Sequence, residues 1–131
     1  MENSDVSIGL KKQYSIRAVK WCENKLGINK RKKKKLKISV RVTFRTPDEK
    51  NFYGLYSYKD NRIIIYDLNC VSLEDVVSTV IHEYTHYLQP VKKYWDFFKT
   101  HDYSTHPHEI EALINEEKYT TECLETIKKL I

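Results

Sequence analysis

The stretch Val71–Pro90, VSLEDVVSTVIHEYTHYLQP, decides how the rest of the chain is read. Its apolar residues Val76, Val77, Val80, Ile81, Tyr84 and Leu88 recur at the three- and four-residue spacing of one helix face. Ser72 stands where an N-cap belongs, Glu74 and Asp75 fall in the first turn where the helix dipole favours negative charge, and Pro90 ends the run. Within this predicted helix lies His82-Glu83-Tyr84-Thr85-His86, an HExxH motif. Residues four apart sit one turn apart on the same face, so both imidazoles can grip one metal ion with Glu83 beside it.

Zinc-dependent hydrolysis needs three protein ligands and one open position, where water is acidified and a carbonyl polarised. HExxH supplies two ligands, His82 and His86, and puts Glu83 where a general base would take the water proton and pass it to a leaving amine. The third ligand sets the subclass. A metzincin would continue with Gly and His at short spacing, but Tyr87, Leu88, Gln89 and Pro90 follow His86. A carboxylate from a later helix is the other common solution. The segment His106-Pro107-His108-Glu109-Ile110-Glu111-Ala112 offers two carboxylates, beside a proline suited to the first helical position. Two residues apart on a helix, Glu109 and Glu111 point about 200° apart, so they cannot both face the metal.

The HExxH motif followed by Tyr87-Leu88-Gln89, the intervening tyrosines and the later Pro-x-Glu-Ile-x-Ala resemble the small gluzincin-type metalloproteases called minigluzincins, and similar short proteins encoded by phages and other viruses. The resemblance spans Ile63–Leu113. It implies a zincin-like fold, one bound Zn2+ ion and a zinc metalloendopeptidase acting on a peptide or protein, and its pattern makes Glu109 the third ligand. Small relatives are latent, with a chain segment lying in the cleft, for which Thr120–Ile131 is the candidate here. A second resemblance competes. His101 stands at a distance from His86 similar to that in SprT-like proteases, which use three histidines and act at DNA, but Asp102 follows where that family has Gly. Glu111 and His101 therefore stand as alternative ligands. Tyr94 and Tyr103 are candidate donors to a tetrahedral oxyanion, with His106 and His108 as further candidates.

Upstream, Tyr14–Leu26 carries an imperfect helical stripe ending at Gly27, and residues 1–12 are expected to be flexible. Leu36–Thr46 alternates apolar and polar residues and predicts a strand; Phe52–Tyr58 and Arg62–Asp67, joined by Lys59-Asp60-Asn61, predict a hairpin. The fold class expected is α+β, a single domain over residues 1–131. A small twisted sheet of about three strands would pack against the HExxH helix, with an N-terminal helix and C-terminal helical segments at His108–Lys118 and Glu122–Leu130. Arg62–Asp67, just upstream of the helix, is the expected edge strand for pairing with an extended peptide.

The net charge of +5 is local: Lys30–Lys37 holds seven of the 23 basic residues, and the other sixteen face 18 acidic ones. Lys30, Arg31, Lys32, Lys33, Lys34 and Lys35 are candidate contacts to nucleic acid; a solvated, self-repelling loop explains them as well. Cys22, Cys70 and Cys123 are odd in number and far apart, which argues for buried thiols rather than disulfides. No window approaches the roughly 18 apolar residues of a membrane span, and the first residues lack a secretory core, so a cytoplasmic monomer is expected.

Overall fold

The computed structural model describes residues 6–44 and 47–131, apart from the side chains of residues 93–95, 98 and 104. The HExxH helix is α2, Leu73–Leu88. Its start is a capping box: the Ser72 hydroxyl accepts from the Asp75 N–H at 3.0 Å, and the Asp75 carboxylate accepts from the Ser72 and Val71 N–H groups. Pro90 cannot continue the helix, and Gln89 before it is extended. Val76, Val77, Val80, Ile81 and Tyr84 are completely buried, each stabilising the fold by about 1.5–3 kcal/mol relative to exposure.

That face lies against a sheet of three strands, β1 (Lys37–Arg41), β2 (Gly54–Ser57) and β3 (Arg62–Tyr66), in the order β1-β3-β2. The hairpin is antiparallel, and Asn61 in its turn adopts the left-handed region (φ 49°) that Asn tolerates. The Asn61 side chain accepts from Tyr56 Oη and donates to the Lys34 carbonyl, tying the turn to the basic loop. β1 pairs with β3 in parallel, which makes Arg62–Tyr66 the central strand. The expected edge role of Arg62–Asp67 is thus corrected: its Ile63, Ile64 and Ile65 are buried, and such a continuous apolar run marks a strand with neighbours on both sides. The edge beside the helix is β2. Gly54 permits the approach, since a Cβ there would meet Thr79 at 2.5 Å and the Ile64 carbonyl at 2.7 Å.

Helix α1, Ile8–Leu26, begins upstream of the expected Tyr14, with Ser7 as its N-cap, so part of the stretch thought flexible is helical; residues 1–5 lie outside the described ones. Gly27 closes it at a positive φ (89°) that suits glycine, donating to the Glu23 carbonyl. Lys11, 4% exposed, is anchored to Asp67 at 2.8 Å. The first strand is shorter than Leu36–Thr46, bending after Arg41; residues 45–46 lie outside the described ones. Beyond Pro90 comes a short helix α3 (Val91–Phe98), and the two C-terminal pieces are one helix, α4 (Pro107–Leu130), with no Gly or Pro inside it to break it. The core joins Ala18 and Cys22 of α1, Ile63 and Ile65 of β3, the apolar face of α2, and Cys123 and Ile127 of α4. The three cysteines are buried and free. No described helix is long and apolar enough to cross a membrane.

Candidate metal centre

α4 reaches the polar side of α2 through a stripe with seven-residue repeat: Glu109, Ala112 and Glu116 share one face. Ala112, fully buried, lets the helices approach, and Asn115 donates to the Thr85 hydroxyl at 3.1 Å. This docking carries Glu109 to both histidines. Its Oε1 lies 3.1 Å from His82 Nε2 and its Oε2 2.8 Å from His86 Nε2. Ligand atoms of His82, His86 and Glu109 all lie within 4.8 Å of one another, and among the described residues this is the group of three or more that could hold a metal ion. Ligands at 2.0–2.1 Å from a tetrahedral ion are roughly 3.3 Å apart, so the donor set fits one with little movement.

The outer nitrogens are fixed as well. His82 Nδ1 faces Glu116 Oε1 at 2.9 Å, and His86 Nδ1 faces Gln89 Oε1 at 2.7 Å. Gln89 has no freedom to flip, because its Nε2 donates to the His108 carbonyl and to Glu111 Oε1. Both acceptors require the Nδ1 proton, which leaves each Nε2 lone pair free for a metal. Gln89 and Glu116 were not singled out from sequence. For Glu116 a signal existed, its seven-residue distance from Glu109; for Gln89 the signal was its position one turn after His86.

Without a metal, protons hold the site together. Burial opposes the charge on His82, but hydrogen bonds to Glu109 and Glu116 outweigh it and push its pKa up to about 10. His86 is likewise raised, with burial overcome by Glu109. Burial would raise the Glu109 carboxyl, yet the hydrogen bonds from both histidines hold it well below the usual carboxylate range. Glu83 is 9% exposed and raised by burial, with His86 and His82 offsetting this in part and the Tyr56 N–H donating to its carboxylate.

Glu83, His86 and Glu109 open onto a cleft of about 330 Å³, walled by Gly54, Leu55 and Tyr56 of β2 on one side and by Pro90, Tyr103 and His108 on the other. Tyr103 is 63% exposed on a short 3-10 turn at the rim. The Tyr94 side chain lies outside the described residues. Glu111 is exposed and bonded to Gln89, outside the metal-binding group, and His101 is exposed beside Thr100, also outside it. Helix phase explains the first and a separate turn the second. His106 caps α4, its Nδ1 accepting from the His108 N–H, and both imidazoles are buried rather than solvated. Thr120–Ile131 continues α4 and contributes nothing to the walls of this cleft. The basic run packs at the end of α2: buried Asn29 donates to the Tyr87 carbonyl, Arg31 reaches the Leu88 carbonyl, and Lys32 lies 5.7 Å over the Tyr56 ring.

No model of a known protein family, no characterised protein and no solved structure matches this chain.

Proposed function

We propose that the chain is a zinc-dependent metallopeptidase of zincin-like architecture, with His82, His86 and Glu109 as ligands and Glu83 as general base. The observation that carries the reading is the convergence of those three ligand atoms with a buried carboxylate at one cleft beside an edge strand. Two imidazoles and a carboxylate suit zinc, and three protein ligands leave the open position that catalysis needs. The ion, when bound, would acidify a water and polarise the scissile carbonyl. Glu83 takes the water proton at its carboxylate and hands it to the departing amine nitrogen as the C–N bond breaks. The Tyr56 N–H orients that carboxylate, and the raised affinity of Glu83 for protons, caused by burial, suits a base. Tyr103 at the rim is the described candidate for binding the oxyanion. The substrate is an extended peptide, because β2 offers the outward N–H and carbonyl of Gly54 and the carbonyl of Tyr56, between residues whose carbonyls and amides bond β3.

The test is cleavage of a quenched-fluorescence peptide library by zinc-loaded protein. Cleavage by wild type, and its loss in a Glu83→Gln variant that retains zinc, is the expected result; zinc-loaded wild type inert toward every peptide would defeat the proposal.

A further inference from the structure

The helices cover one face of the sheet; the other face holds a second cleft, of about 450 Å³, on the far side of β2 from the first. Lys37 and Arg41 of β1, Arg62 of β3 and Lys34 of the basic loop line it, with Glu49 and Asp60 as the acidic members. Lys37 and Arg62 are register partners on adjacent strands, an arrangement in which like charges repel. None of the four cations is in an ion pair among the described residues; Arg62 donates to the Ser39 hydroxyl.

We infer that this groove, continued by the exposed Lys30, Lys33 and Lys35 of the basic loop, binds the phosphodiester backbone of nucleic acid. The inference is independent of the metal site. Lys37 and Arg41 are four residues apart on one strand face, about 13 Å, so one phosphate cannot reach both, whereas separate phosphates of one nucleic-acid strand can each meet one. Ser39 and Ser57 add hydroxyls of the kind that contact phosphate.

The experiment titrates a short fluorescein-labelled DNA duplex with the full chain across a salt series, comparing wild type with Lys37→Gln/Arg41→Gln/Arg62→Gln. Wild-type affinity should fall steeply with salt, and the triple variant should bind at least about tenfold more weakly at low salt, its log–log salt slope reduced by about three. Should the triple variant melt early, Lys37→Gln/Arg41→Gln, which keeps the Arg62–Ser39 bond, should reduce the slope by about two. Equal affinities and slopes for folded variant and wild type, binding indifferent to salt, or displacement of DNA by an equal charge of polyglutamate would each overturn the inference.

Discussion

Among the described residues, Lys11 with Asp67 and the cluster of His82, His86 and Glu109 are the two places where opposite charges are buried together. In the first, one ammonium meets one carboxylate at 2.8 Å and also the Asp67 carbonyl at 3.2 Å, so the charges cancel between α1 and the end of β3. In the second, the carboxylates of Glu83, Glu109 and Glu116 surround two imidazoles; with all five groups ionised one negative charge is left over, and burial raises the affinity of Glu83 for a proton. The first pair is closed and joins two elements. The second is neutralised by something that comes and goes, protons or a divalent cation, and it opens onto a cleft. Burial alone does not separate a structural pair from a site; the balance of charge and the access do.

Substitutions should divide along that line. The largest effect belongs to Glu83→Gln: peptide cleavage should drop by about 10²–10⁴-fold with metal content unchanged, measured by initial rates and metal analysis. Lys11→Met should cost about 3 kcal/mol in urea denaturation, at the low end for a broken buried pair because Asp67 keeps some solvent, while metal affinity stays at the wild-type value. Adding Asp67→Leu should restore much of the loss; a Lys11→Met chain as stable as wild type would erase the distinction. Gln89→Ala and Glu116→Ala should each weaken metal binding by about 10–100-fold in competition with a chelator and leave the fold intact.

A smaller, graded difference is expected with pH. Because His82 is raised from 6.5 to about 10, its contribution to the metal-free fold is complete below pH 6.5 and lost as pH rises through about 10. Glu109 is depressed from 4.5, so its contribution is present above that value and lost as pH falls through its folded pKa. The melting temperature of metal-free protein should therefore peak between pH 4.5 and 6.5. Metal affinity should run the other way, rising with pH because the ion displaces the protons on the imidazoles, and calorimetry in buffers of different ionisation enthalpy should register their release.

Much of this was legible in residue order. Periodicity placed α2, its Ser72 cap and its Pro90 stop, and the hairpin followed from β-forming runs around Lys59-Asp60-Asn61, because these depend on neighbours in sequence. Glu109 could be reached only through a resemblance, since what brings it to the histidines is the docking of Ala112 and Asn115 against α2. Strand order was misread because adjacency to the helix suggested an edge. The parallel pairing of β1 with β3 is a long-range choice that local alternation does not encode, although the unbroken Ile63-Ile64-Ile65 run pointed to a central strand. Gln89 and Lys11 were passed over because a polar side chain reveals its partner only once the chain has folded.

The most direct measurement is zinc stoichiometry with X-ray absorption spectroscopy on wild type and His86→Ala. One zinc per wild-type chain, held by two imidazole nitrogens, a carboxylate oxygen and an exchangeable water, and lost from His86→Ala, is the predicted result. A wild-type chain that takes up no zinc, or that encloses it with four protein ligands, would contradict the account.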